Sequence, residues 1–462
     1  MLDRRSFTAA SLASLAFAGA ARVGAAGAQA EPLTYRNEVP GYGPLKRDPA
    51  GLFDLPEGFT YTVVSAAGEA MDDGFATPDK FDGMGIHALD ANRVALVRNH
   101  ELKPGDQELG PSAGIARLEQ RLKDGPVFGR GKDGRVLPGG TSTLIVDLRS
   151  LKREAQWLSL AGTAVNCGGG ETPWGSWLTC EETVLKSPEV ERPHGWIFEV
   201  PAAQRGLAQP RPLTAMGRFR HEAAAVDRKT GIFYLTEDQG DGLFTRFLPR
   251  DPRNLSAGGR LQALAVEGVP GMDTRNWSRP AFAPGAAPAV RWIDLEDVEN
   301  MGDDLRLRGR QAGAAIFARG EGIHAGNGEL YFTCTSGGAK KLGQIFCYIP
   351  SPAEGTPGES TQPGRLHLFM ESRDSSVFDY GDNLTVAPNG HLVVCEDRSG
   401  IALNHLRGVT PEGKVYTLAL LRAETELAGA CFSPDGKTMF VNVYRPGKTL
   451  AIRGPWNRVV TA

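Results

Sequence analysis

Long apolar runs are missing from this 462-residue chain once its first 30 residues are passed. No later segment reaches the ~20 apolar residues that a membrane-spanning helix needs, so no membrane span is expected. A basic excess is missing too. The formal net charge is -3, and the first 30 residues hold three Arg and one Asp, which leaves about -5 for the rest. No basic patch stands out, and nucleic acid is not an expected partner. There is no Gly-x-Ser-x-Gly elbow and no evident Ser-His-Asp arrangement, so a serine nucleophile is not indicated. The glycine-rich stretch 166–170 lacks the Gly-Lys-Ser/Thr ending of a phosphate-cradling P-loop.

What is present is a repeat. Six times an apolar strand runs into a tight turn, a second apolar strand follows, and that strand ends in a polar, mostly acidic cluster. The copies span 86–101, 174–182, 221–238, 322–335, 384–397 and 430–443. Short strands joined by Asn-Gly and Asp-Gly turns, repeated along the chain, predict an all-β fold: a six-bladed β-propeller with loop and helical insertions. The abundant glycine (58) and proline (31) read as its turns. Equivalent positions of a propeller gather around one axis. Glu101, Glu181, Glu182, Glu237, Asp238, Glu396 and Asp397 are therefore expected to converge. Like charges resist joint ionisation in a small space, and hard metal ions are the usual remedy.

The N-terminus reads as a targeting segment. Asp3-Arg-Arg-Ser-Phe-Thr8 is a twin-arginine pattern, an Ala/Leu/Ser-rich stretch follows, and Ala28-Gln-Ala30 suits a cleavage site. Residues 1–30 are expected to be a cleaved export signal, and 31–462 one propeller domain. The twin-arginine machinery carries folded proteins, often ones loaded with a cofactor. Two long insertions are expected, at 102–140 with a helix over 113–123, and at 250–310. The strand near Thr60 is expected to close the last blade.

The six cysteines are Cys167, Cys180, Cys334, Cys347, Cys395 and Cys431. An even count in an exported chain suggests disulfides, with Cys334 and Cys347 in hairpin reach. Cys334, Cys395 and Cys431 read as small buried residues. Cys180 is directly followed by Glu181 and Glu182, and a thiolate beside carboxylates implies a metal or a raised thiol pKa.

These motifs resemble those of the PhoX-type alkaline phosphatases. The resemblance rests on the whole segment 166–182, Asn-Cys-Gly-Gly-Gly-Glu-Thr-Pro-Trp-Gly-Ser-Trp-Leu-Thr-Cys-Glu-Glu. It continues in Arg98-Asn-His-Glu101, Arg220-His-Glu222, Thr236-Glu-Asp238, Phe317-Ala-Arg-Gly-Glu-Gly322, Asp382-Asn383 and Gly429-Ala-Cys-Phe-Ser-Pro-Asp-Gly436. It implies a periplasmic or secreted phosphomonoesterase acting on a small phosphoester. It also implies a central cluster of Fe3+, bound partly by a cysteine thiolate, and Ca2+. Carried over by motif, Cys180 is the iron-binding thiol, Glu222 and Glu321 ligate metals, Arg319 holds the substrate phosphate and Asn99 is a polar partner of it. Glu101, Glu181, Glu237, Asp238, Asp382, Glu396 and Asp397 are candidate calcium ligands by position. The chain is compact for that family. A calcium-dependent lactonase or phosphotriesterase, and a non-catalytic propeller braced by metal, stand as alternatives, because fold alone does not decide function.

Overall fold

The computed structural model describes residues 35–398 and 403–458. The expected export signal at 1–30 lies outside the described residues. Six antiparallel sheets follow one another along the chain, each opened by an innermost strand. In order these inner strands are Phe81–Ala88, Asn166–Glu171, His221–Val226, Gly320–Ala325, Gly381–Val386 and Leu427–Phe432. Each packs against the next, and the sixth packs against the first, so the six blades close into a ring. The six-bladed propeller read from the repeats is the fold observed.

The repeated hairpins are the two innermost strands of each blade. The second strands are Arg93–His100, Ser176–Glu181, Phe233–Glu237, Leu330–Cys334, Leu392–Glu396 and Thr438–Val443. The Asn389-Gly390 and Asp435-Gly436 turns place their glycines at φ 83° and 67°, where a side chain would be strained. Thr60–Ala66 pairs with Lys448–Arg453 and closes blade 6 as expected. Velcro-like closure by the N-terminal segment goes further, because Phe53–Pro56 adds to Val415–Leu421 of blade 5. The N-terminal segment thus adds strands to two blades.

Between each pair of blades lies an apolar layer. Blades 2 and 3 share Leu178, Cys180, Ile197, Ala224, Phe233 and Leu235. Blades 5 and 6 share Val393, Cys395, Leu406, Met439 and Val441. Each fully buried aliphatic or aromatic side chain contributes roughly 1.5–3 kcal/mol. A helix forms at Ala116–Lys123 within the first insertion, burying Leu118 and Leu122. Much of the second expected insertion is instead blade structure: Gly259–Val266 and Val290–Asp294 are the fourth and fifth strands of blade 3. Proline and glycine crowd 268–289 between these two strands, so the stretch reads as loop rather than as a blade hairpin. All six cysteines are free and buried. Cys347 lies opposite Tyr331 rather than Cys334, so the suggested hairpin disulfide does not form.

Candidate metal centre

Every inner strand begins with an irregularity. In blades 1 to 5 its register against the second strand slips after the first residue. The residues set free from the ladder there are Asp82, Cys167, Glu222, Glu321 and Asp382. A bulge re-aims a side chain that a regular ladder would hold in the pleat. Four of the five are followed by a small residue, Gly83, Gly168, Ala223 or Gly322. A Cβ on Gly168 would lie 2.4 Å from the Glu222 carbonyl oxygen, and one on Gly322 would lie 2.7 Å from Asn383 Cα. Glycine there lets neighbouring inner strands close around the five side chains. Blade 6 differs: Ala428 stands at the equivalent place, and the slip comes one residue later.

A second ring lies just above. The residue after each second strand donates its backbone N–H to the carbonyl of the residue before the inner strand. These bonds run from Glu101 to Lys80, Glu182 to Val165, Asp238 to Arg220, Thr335 to Arg319, Asp397 to Tyr380 and Tyr444 to Glu426, at 2.8–3.3 Å. Six equivalent bonds place Glu101, Glu182, Asp238 and Asp397 around one mouth. Lys80, Val165, Arg319 and Tyr380 each hold a positive φ of 48–55°.

Among the described residues, three groups hold ligand atoms within 4.8 Å of one another: Cys167, Glu182 and Glu222; Glu222, Glu321 and Asp382; and Asp82, Glu101 and Glu426. Glu222 belongs to two of them. It is fully buried, and neither of its carboxylate oxygens has a hydrogen-bond partner. Burial and the charges of Glu321, Asp382, Glu182 and Asp82 push its pKa well above the ordinary range. The same holds for Glu182, raised by burial, Asp238 and Glu101, and for Asp82, raised by burial, Glu101 and Asp382. Asp382 is pushed up to about 8, by burial first and then Asp397. Burial, then Asp82, Glu222 and Glu182, raises the Cys167 thiol; its Sγ lies 3.5 Å from Asp82 Oδ2. So many unpaired buried acids cost stability unless cations enter. The donor set suits two kinds of ion. A thiolate with carboxylates suits a transition metal, and all-oxygen groups suit a hard divalent cation.

Arg319 is a cation at the mouth. Its Nε and Nη2 donate to the two Asp238 oxygens at 2.8 and 2.9 Å, and Nη2 lies 2.8 Å from Glu321 Oε1. These carboxylates raise its pKa further, and about a third of its side chain faces solvent.

Of the expected site residues, the structure gathers Glu101, Glu222, Asp238, Arg319, Glu321, Asp382 and Asp397 at this end of the channel. Five others do not join them. Cys180 is wholly buried in the apolar layer between blades 2 and 3, and burial alone raises its thiol. The thiol among the carboxylates is Cys167. Glu181 points away from the channel: it accepts from Ala164 N, Gly195 N and Trp196 N and bonds His194 Nδ1 at 2.6 Å. Glu396 likewise accepts from His405 N and Tyr35 Oη. Glu237 accepts from Leu243 N, and burial pushes it up to about 8. Asn99 spends its amide on Cys167 O and Gly168 O, both at 2.6 Å, and on Trp177 Nε1. Its side chain is not free for a phosphate. The histidines also face away: His221 bonds Gly217 O, and His100 bonds Asp79 O and Ser142 Oγ.

Sequence reasoning did not assign Asp82, Cys167 or Glu426 as ligands, and it expected Glu182 to converge without naming it a ligand. A signal existed for the first two. Each is an acid or thiol followed by glycine at the start of an inner strand, as Glu321 is. Glu182 required the pleat. Adjacent residues face opposite ways, so only one of Glu181 and Glu182 enters the channel. Glu426 has no counterpart acid in the other blades.

The profile of the family described as alkaline phosphatase PhoX matches residues 40–447. No curated protein matches the sequence. The structure of Pseudomonas fluorescens PhoX in complex with vanadate, a transition state analogue, is similar over 93% of this chain and 99% of that chain, with 17% identity and a TM-score of 0.64. A putative gluconolactonase overlaps 91% of this chain and 98% of its own at 10% identity and a TM-score of 0.43. A Xanthomonas campestris gluconolactonase overlaps 89% and 98% at 13% identity and a TM-score of 0.38.

Proposed function

Since the chain belongs to the alkaline phosphatase PhoX family, we propose that it is an exported phosphatase that hydrolyses small phosphate monoesters at the acidic mouth of its channel. In this reading residues 1–30 are a twin-arginine signal, and the enzyme works in the periplasm or outside the cell. Cys167, Glu182 and Glu222 hold Fe3+. Glu222, Glu321 and Asp382 on one side, and Asp82, Glu101 and Glu426 on another, hold Ca2+. The single observation that carries it is Glu222, whose two unpartnered buried oxygens join the thiol group to an all-carboxylate group.

The bound cations would supply charge stabilisation for the phosphoryl oxygens and an activated oxygen nucleophile. The chain's own residues bind and orient. Arg319 offers the Nη1 end of its guanidinium to a phosphate oxygen, because Nε and Nη2 are engaged by Asp238 and Glu321. Asp238 fixes that guanidinium from behind through two parallel bonds, so it waits in a set plane. Thr335 N, bonded to Arg319 O, and Gln239 O, bonded to Arg319 N, fix its backbone. The carboxylates around it repel a free phosphate ester until cations balance them, which ties substrate binding to metal load.

The test is elemental analysis of protein from its native export route, beside p-nitrophenyl phosphate hydrolysis before and after chelation. Iron and calcium together, with turnover lost on chelation and inhibited by vanadate, are expected. Calcium without iron and no turnover would sink the phosphatase reading and favour the lactonase or the non-catalytic propeller.

A further inference from the structure

The penultimate residues of the six second strands are Asn99, Cys180, Thr236, Thr333, Cys395 and Asn442. Four are amide or hydroxyl side chains, and all four are buried. Such groups in an apolar inter-blade layer are costly unless bonded. Each is bonded in the same way, to the blade that follows. Asn99 Nδ2 donates to Cys167 O at 2.6 Å, and Thr236 Oγ1 to Glu321 O at 2.5 Å. Thr333 Oγ1 donates to Asp382 O, and Asn442 Nδ2 to Asp82 O, both at 2.6 Å. The four acceptors are the carbonyls of four of the five bulged residues that carry a carboxylate or thiol into the channel.

We propose that Asn99, Thr236, Thr333 and Asn442 are positioning residues for the metal centre, each setting the bulge of the next blade. The inference rests on the metal reading of the preceding section. A bulge takes a carbonyl out of the ladder and leaves its peptide plane free to rotate. Turning that plane turns the Cα–Cβ bond of the ligand residue. A donor from the neighbouring blade fixes the plane, hence the direction of the ligand. Thr236 also accepts from Ala223 N, directly after Glu222, at 3.0 Å. One hydroxyl therefore ties the Glu222 bulge to the Glu321 bulge. Asn99 is itself oriented. Only with its Oδ1 toward the Trp177 indole N–H, at 2.9 Å, can its Nδ2 face the two carbonyls. Mere packing does not require these groups, since Cys180 and Cys395 fill the same position in blades 2 and 5.

The test uses the full mature chain, stripped of metal and titrated with Ca2+ alone. Thr236→Val and Thr333→Val remove the hydroxyl at nearly constant shape, and Thr236→Ser and Thr333→Ser keep it. Outer partners of metal ligands typically govern affinity by about 10–100-fold. The valine variants are expected to bind Ca2+ weaker by about that factor, and the serine variants to recover it. A purely structural role would lower the melting temperature without this pattern. Trp177→Phe gives a second readout at greater distance: in iron-loaded protein the thiolate-to-iron absorption band is expected to shift. Valine variants that bind Ca2+ as tightly as wild type, or an unmoved band in Trp177→Phe, would overturn the proposal alone. Wild-type protein that binds no Ca2+ would overturn the metal reading and this inference together.

Discussion

Cys167 and Cys180 lie on neighbouring strands of blade 2 and occupy opposite surroundings. Cys167 sits in a bulge of the inner strand, with Asp82, Glu182 and Glu222 about it. Cys180 sits on the second strand, across from that bulge on one side and opposite Ile197 on the other, in an apolar layer. The same contrast divides the molecule. Inner strands slip out of register at their first turn of pleat and present chemistry to the axis. Second strands keep register and present side chains to the neighbouring blade. Carboxylates obey it as thiols do. Glu182, Asp238 and Asp397 lie past the ladder and face the mouth, whereas Glu181, Glu237 and Glu396 are its last paired residues and face away. Proximity in sequence to a carboxylate therefore says little about proximity to the centre. Position relative to the bulge decides it.

Breaking the inner side of this contrast should have the largest effect. Glu222→Gln removes the carboxylate shared by two groups, and metal load and kcat/KM are expected to fall by more than about 100-fold. The metal-free variant should melt no lower than metal-free wild type, because an uncompensated buried acid has been neutralised. A variant that keeps its metals would move the centre elsewhere.

The acid pair of blade 2 sharpens the point. Glu182→Gln is expected to weaken metal binding by about 10–100-fold with little change in metal-free stability. Glu181→Gln should do the reverse. It disturbs bonds to Ala164, Gly195 and Trp196 N–H and to His194, at a cost of about 1–3 kcal/mol in unfolding free energy. Calcium titration and chemical denaturation of both variants separate the two roles, and equal behaviour would erase the distinction.

The hairpins, the six blades and the closing strand at Thr60 were legible because Asn-Gly and Asp-Gly turns punctuate alternating apolar runs. Glu101 and Asp238 were legible because they recur at matching strand ends, whereas Glu222, Glu321 and Asp382 were legible only through the family motifs that carry them. Cys167 was not, since its motif reads as a glycine-rich approach, while Cys180 stands beside two acids. A bulge inserts one residue and reverses which neighbour points inward, and no local propensity announces it. The outer strands of blade 3 were likewise hidden, because a long Pro/Gly-rich connection separates them and no tight Asn-Gly or Asp-Gly turn pairs them.

A smaller effect should appear in pH dependence. Asp382 is pushed from 3.8 to about 8 in the metal-free fold, chiefly by burial. A raised carboxylate binds more protons folded than unfolded, so it favours the fold at low pH. Metal-free protein should therefore lose stability as pH rises from about 4 to about 8. Metal binding releases protons, so metal affinity should rise across the same window. Denaturation midpoints with and without Ca2+ check both signs. A metal-free protein that gains stability with pH would contradict the burial of unpaired acids.

The most direct measurement compares Cys167→Ala with Cys180→Ala by iron content and visible absorption after native export. The account predicts that Cys167→Ala loses iron and the thiolate band and still folds, while Cys180→Ala keeps both. Loss of iron and band in Cys180→Ala, with Cys167→Ala unchanged, would contradict it.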